Sequence, residues 1–121
     1  MTLLGVAIAG ALGAPARYLV ERAVSMRTGR RFPWGTFVVN ATGSFALGFI
    51  TGLALYHGLS TAPKAVVGTG FVGAYTTFST YAYETVDVGA RTTARLASAY
   101  AIGSIVAGVA AATVGLVLAA I

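Results

Sequence analysis

The chain has 121 residues, of which 57% are hydrophobic and only 9% are charged, with a formal net charge of +5. A soluble domain carries about 25% charged residues, so this chain has too little polar surface to be one. Cysteine is absent, which excludes disulfides, thiolate metal sites and a cysteine nucleophile. The basic residues flank apolar runs, so we interpret them as membrane headgroup contacts rather than as a nucleic-acid surface.

Four stretches contain no Asp, Glu, Lys or Arg: residues 2–16, 32–63, 65–83 and 96–121. A helix that crosses the hydrocarbon core needs about 20 mostly apolar residues. We therefore predict an all-α membrane protein with one domain, residues 1–121, and four transmembrane helices at approximately 2–25, 34–56, 63–88 and 92–120. No basic residue precedes Arg17, which argues against a cleaved signal peptide at the start.

The first two predicted helices carry polar residues that have two interpretations each. Arg17 lies in the second half of helix 1; it either snorkels to the interface or attracts anions to a vestibule. In helix 2, Thr36, Asn40, Gly43 and Ser44 share one face. Asn40 would lie deep in lipid unless it faces protein or water, so it either holds two helices together or serves a polar pathway.

The third predicted helix has a centre that is unsuited to a regular helix. Three glycines precede a run of hydroxyl and aromatic residues between positions 68 and 81. Glycine and threonine lower helix propensity, and serine and threonine offer the backbone competing hydrogen bonds. We predict that this helix is broken near Gly73–Thr77 at mid-membrane depth. Such a break lines a cavity or packs inside protein and exposes carbonyls and amides that an ion can use.

The last predicted helix combines close packing with polar groups. Small residues recur at every fourth position, at Gly103, Ala107, Ala111, Gly115 and Ala119, which allows another backbone to approach closely. Tyr100 and Ser104 place hydroxyls on one face of the same helix.

The polar residues of the three inner helices are neutral hydrogen-bond donors: Asn40, Ser44, Thr76, Thr77, Ser79, Thr80, Tyr100 and Ser104. A cation pathway usually contains carboxylates, whereas amides and hydroxyls suit an anion. Aromatic edges carry positive charge, so Phe78 could also face an anion edge-on. No catalytic triad, metal-ligand set or phosphate loop is present, so we do not expect an enzyme.

Three motifs of the chain resemble motifs of a single protein family. They are Gly13-Ala14-Pro15-Ala16-Arg17-Tyr18, the segment 35–40 ending in Asn40 with Gly43-Ser44-Phe45, and the segment 70–80 ending in Thr76-Thr77-Phe78-Ser79-Thr80, followed by Glu84. Together they are similar to the Fluc (CrcB) fluoride channels over the full chain. The Thr-Thr-Phe-Ser-Thr block combined with the asparagine motif carries most of the specificity.

The resemblance implies an antiparallel dimer with two fluoride pores. It assigns pore roles to Asn40, Phe78, Ser79, Thr80, Tyr81, Tyr100 and Ser104, and vestibule roles to Arg17 and Glu84. It also implies a structural sodium ion at the dimer axis, held by the backbone carbonyls of Gly73 and Thr76. Tyr81 departs from the family, since similar members usually carry a second pore phenylalanine there.

The implied function is passive export of cytoplasmic fluoride across the plasma (inner) membrane of a prokaryote, which confers fluoride resistance. The arginine-rich loops predict external termini, whereas a homodimer with dual topology should show little charge bias. The charge bias therefore favours a fixed orientation and a heterodimer with an oppositely oriented homologue; a homodimer of identical chains is the alternative.

Two other functions fit the same length. A small proton-coupled multidrug exporter with dual topology needs a carboxylate deep in helix 1, but Glu21 lies near the end of that helix. A non-transporting membrane assembly subunit explains the glycine stripes but not the donors on three helices.

Overall fold

The computed structural model describes residues 1–121 and is entirely helical, with no β-strand. It contains four helical segments, and the third consists of several short pieces. The elements are α1 (Thr2–Thr28), α2 (Trp34–His57), α3 (Thr61–Lys64), π1 (Ala65–Val72), α4 (Gly73–Tyr75), α5 (Ser79–Arg91) and α6 (Ala94–Ala120). The prediction of an all-helical chain with four helical segments is confirmed.

Three helices, α1, α2 and α6, are long and apolar enough to cross a membrane. Only 16 of the 121 residues are buried, and large apolar side chains such as Leu12, Leu55, Ile102 and Val109 point outward. Apolar side chains on the outside suit a protein that is solvated by lipid rather than by water.

The helix ends follow local chemistry. Gly29 and Gly58 have φ angles of 77° and 68°, which glycine adopts without strain; they end α1 and α2. Thr93 begins α6, because its hydroxyl accepts the amide of Leu96 at 3.1 Å. This side-chain cap satisfies one of the otherwise free amides of the first turn.

Small residues set the close packing of α2 on α6. A Cβ on Gly48 would collide with the backbone of Ala112, and a Cβ on Gly115 would collide with the backbone of Phe45. Such contacts let the two helix backbones approach closely. A Cβ on Gly103, at the other end of the small-residue stripe of α6, would meet nothing within 4 Å, so only part of the stripe is used within the chain.

The third segment is irregular over most of its length. α3, π1 and α4 follow one another without a gap, and π1 extends over eight residues. A π-helix is rare and usually occurs as a single-turn bulge in an α-helix, frequently at a functional site; this one is longer. After Tyr75 the backbone becomes extended at Thr76, with φ −79° and ψ 159°, and helical structure begins again at Ser79. This interruption separates α4 from α5.

Candidate functional site

Asn40 holds the interruption between α4 and α5. Its Nδ2 donates to the carbonyl of Thr77 at 2.8 Å, and its Oδ1 accepts the amide of Thr77 at 2.9 Å. The Asn40 side chain thus takes the place of both backbone hydrogen bonds that Thr77 would make in a continuous helix. The terminal amide of asparagine carries two N–H groups, so one N–H remains after the bond to Thr77.

The same pairing frees a backbone carbonyl. In an uninterrupted α-helix the amide of Thr77 would donate to the carbonyl four residues earlier, which belongs to Gly73. That amide is bonded to Asn40 instead, so the Gly73 carbonyl loses its ordinary helical donor.

The hydroxyl of Thr77 starts the next helix. Its Oγ1 accepts the amide of Thr80 at 3.2 Å and lies 3.1 Å from the Thr80 hydroxyl and 3.4 Å from that of Ser79. Thr77 is buried, so its backbone and side chain are both used to fix the geometry of the interruption. The predicted donors Ser79 and Thr80 therefore lie together in the first turn of α5.

A cavity of about 680 Å³ lies beside the interruption. Its lining residues carry no charge; the polar ones are Asn40, Ser44, Thr76, Thr77, Tyr81 and Ser104, and the remainder are Gly43, Leu47, Gly68, Val72, Gly73, Phe78, Ile105, Gly108 and Val109. The hydroxyl of Ser104 is buried and has no hydrogen-bond partner. A buried polar group without a partner is uncommon, and the residue that carries this one is among those that line the cavity.

Aromatic rings form one wall of the cavity and continue beyond it. The ring centroids of Phe78 and Tyr81 are 5.7 Å apart, and those of Tyr81 and Tyr100 are 5.6 Å apart. Phe78 is 79% exposed, which leaves the cavity open on that side of the chain.

Tyr100 is fully buried at 0% exposure, next to the cavity but outside its lining. Its hydroxyl donates to Glu84 Oε2 at 2.9 Å, and its ring meets Phe32 edge-on with centroids 5.3 Å apart. The structure thus joins two predicted site residues, Tyr100 and Glu84, in one hydrogen bond. The only proton of the Tyr100 hydroxyl is used by that carboxylate.

Arg17 reaches the interruption from α1. Its Nη1 lies 3.4 Å from the carbonyl of Thr76, which is a long and weak hydrogen bond. The predicted vestibule residue and one of the predicted sodium ligands are therefore neighbours. Glu21, one turn further along α1, has a buried Oε1 without a partner.

Six of the predicted site residues line the cavity: Asn40, Gly73, Thr76, Phe78, Tyr81 and Ser104. Ser79, Thr80, Tyr100, Glu84 and Arg17 lie outside its lining. The sequence indicates Thr77 only as a donor and not as a site residue, although its position at the end of the expected break is a usable signal. Ser44 also lines the cavity, and its place on the same face of helix 2 as Asn40 is a signal from which the sequence could have predicted this.

The fold and the cavity are those of a small helical membrane protein in which uncharged polar residues lie together beside an interrupted helix. Residues 4–116 match the family model described as CrcB-like protein, Camphor Resistance (CrcB). The chain belongs to this family, as the motifs predicted.

Named relatives extend the comparison. Fluoride-specific ion channel FluC 1 of Leifsonia xyli subsp. xyli is 45% identical over 116 residues, which cover 96% of this chain and 85% of the relative. FluC 2 of Mycobacterium tuberculosis is 46% identical over 115 residues, covering 93% and 86%. FluC of Acidobacterium capsulatum is 44% identical over 119 residues, covering 98% and 95%. Each of these relatives is named as an ion channel and not as an enzyme, in agreement with the expectation from the sequence.

Proposed function

We propose that this chain forms a fluoride-selective ion channel and that the cavity beside the interruption is part of the fluoride pathway. The names of its relatives support fluoride as the ion. The observation that carries the proposal within this chain is the uncharged cavity beside the interruption, whose lining includes Ser104, a residue with a buried hydroxyl that has no partner.

The lining offers what a small anion needs when it loses water. Hydroxyl and amide groups donate hydrogen bonds. The hydroxyls of Thr76, Thr77 and Tyr81 already donate within the chain, which leaves the hydroxyls of Ser44 and Ser104 and the second N–H of Asn40. The ring edges of Phe78 and Tyr81 add weak positive charge. Fluoride accepts hydrogen bonds strongly and is small, so a narrow track of such groups favours it over chloride.

The absence of carboxylates from the cavity lining also separates this function from the alternatives. A proton-coupled exporter places an acidic residue in its pathway, and Glu21 is not among the residues that line the cavity. An assembly subunit would not need an unpartnered donor there.

The pathway needs a second copy to be complete. Phe78 is 79% exposed at the open side of the cavity, and a partner inserted in the opposite orientation would cover this side. The assembly we propose is an antiparallel dimer with two pores, whose third membrane segment is broken at mid-membrane depth. The partner is an identical chain with dual topology or an oppositely oriented homologue. Fluoride leaves the cytoplasm passively through the inner membrane of a bacterium, which provides fluoride resistance.

A structural sodium ion at the dimer axis is part of the same proposal, with Gly73 and Thr76 as its ligands. Carbonyl oxygens suit such a hard cation, and the Gly73 carbonyl fits because its helical donor is bonded to Asn40. The Thr76 carbonyl fits less simply, because Arg17 lies 3.4 Å away. The ion would supply a fixed positive charge that holds two carbonyls together.

The test uses purified protein in liposomes loaded with fluoride or chloride, with efflux followed by ion-selective electrodes. The proposal expects rapid fluoride efflux and chloride efflux no faster than that of protein-free liposomes. Equal efflux of both anions, or no efflux of either, would contradict it.

A further inference from the structure

Tyr81 occupies a bridging position between two helices. It lies in the first turn of α5, and its ring is half-buried between Phe78 and Tyr100, with centroid distances of 5.7 Å and 5.6 Å. Its hydroxyl donates to the carbonyl of Ala101 on α6 at 2.9 Å. The backbone of Tyr81 is thus fixed on α5 and the far end of its side chain on α6.

The acceptor lies close to the unpartnered donor of the cavity. Ala101 is three residues before Ser104, so the two share a face of α6. A helical carbonyl has two lone pairs and can accept the Tyr81 hydroxyl beside its own helical hydrogen bond. The contact therefore ties the Tyr81 ring to the stretch of α6 that presents Ser104 to the cavity.

The hydroxyl cannot also serve an anion. A tyrosine hydroxyl has one proton to donate, and here that proton points at Ala101. The group that Tyr81 can present to the cavity is the edge of its ring. A phenylalanine would present the same edge between Phe78 and Tyr100, but the hydrogen bond that fixes the far end of the ring on α6 would be lost.

We infer that Tyr81 is a positioning residue, whose hydroxyl fixes a ring edge in the cavity wall and holds α5 against α6 at the width that excludes chloride. This inference rests on the proposed function. The added hydroxyl changes the freedom of the ring rather than the set of donors that meet the anion.

The test compares Tyr81→Phe with the wild type and with Tyr83→Phe, an exposed tyrosine of the same helix at 71% exposure. In liposomes we expect Tyr81→Phe to lose about threefold to tenfold in fluoride efflux, on the order of one hydrogen bond, and to gain chloride efflux above the protein-free background. Tyr83→Phe should match the wild type in both.

The other outcomes of the transport assay would overturn either the inference or the proposed function. Wild-type values of fluoride and chloride efflux in Tyr81→Phe would overturn the inference while leaving the proposed function in place. Reduced fluoride efflux with full chloride exclusion would also overturn it, because the bond to Ala101 would then not hold α5 against α6 at the width that excludes chloride. A wild-type protein that conducts neither anion would overturn the proposed function first.

A spectroscopic readout is independent of transport. Ultraviolet resonance Raman spectra report the hydrogen bonding of tyrosine, and the difference between wild type and Tyr81→Phe isolates Tyr81. We expect the difference spectrum of a donating hydroxyl that does not change when fluoride is added. A change with fluoride but not with chloride would show that the hydroxyl turns to the anion and would overturn the inference.

Discussion

Replacement of Asn40 tests the site most informatively, because two variants separate its structural role from its electrostatic one. In Asn40→Ala both hydrogen bonds to Thr77, at 2.8 Å and 2.9 Å, are lost. Each backbone group left without a partner costs about 1–3 kcal/mol. Because the site is only partly buried, we take the low end, about 2 kcal/mol in total, which corresponds to roughly a 30-fold loss of fluoride efflux if the geometry of the interruption controls conduction.

Asn40→Asp has the same shape but adds charge. One carboxylate oxygen can still accept the amide of Thr77, but the other meets the Thr77 carbonyl without a proton to share. An anion about 5 Å from the carboxylate is repelled by about 3 kcal/mol at an effective dielectric constant of about 20. This repulsion adds to the lost hydrogen bond, so fluoride efflux should fall by more than about 100-fold, below that of Asn40→Ala.

The assay is fluoride efflux from liposomes containing equal amounts of each variant, after size-exclusion chromatography and thermal unfolding have shown that each is folded. Thr113→Ala is the control, since its hydroxyl bonds only to the carbonyl of Val109 in its own helix. Efflux through Asn40→Asp that equals or exceeds efflux through Asn40→Ala would refute the electrostatic reasoning.

Two further predictions concern packing and the unpartnered hydroxyl. Gly13→Ala places a Cβ against the carbonyl of Phe71, whereas the Cβ of Gly103→Ala meets nothing within 4 Å. Gly13→Ala should therefore lower the free energy of unfolding by about 1–3 kcal/mol, and Gly103→Ala should raise it by about 0.5–1 kcal/mol. Thermal unfolding in detergent measures both changes. The reverse order would contradict the packing of α1 on π1. Ser104→Ala removes a buried hydroxyl that has no partner, so the protein should be at least as stable, while fluoride efflux from liposomes should fall by about threefold to tenfold, the effect of one hydrogen bond. Unchanged efflux would remove Ser104 from the pathway.

Composition and local motifs predicted the class of the protein, its four helical segments and the family. Charge-free runs and the glycine-hydroxyl pattern are local signals, and they are strong in a chain of this composition. The non-helical backbone from Thr76 to Phe78 overlaps the region in which we expected a break. Its depth in the membrane stays a prediction.

Long-range pairings were not accessible from the sequence. Asn40 and Thr77 are 37 residues apart, and an asparagine in a membrane helix can pair with any nearby backbone. The bonds of Tyr100 to Glu84 and of Tyr81 to Ala101 depend on how α5 packs on α6. The π-helical backbone of residues 65–72 has no distinct composition that would separate it from an α-helix with several glycines.

The central claim is that fluoride passes through the cavity that Ser104 lines, and the absence of native cysteine allows a direct measurement. A single Ser104→Cys chain is reconstituted in liposomes, and fluoride efflux is measured before and after modification by a small thiol reagent, with Thr113→Cys as the control. We predict that modification stops efflux in Ser104→Cys and leaves it unchanged in Thr113→Cys. Full fluoride efflux through completely modified Ser104→Cys would contradict the account.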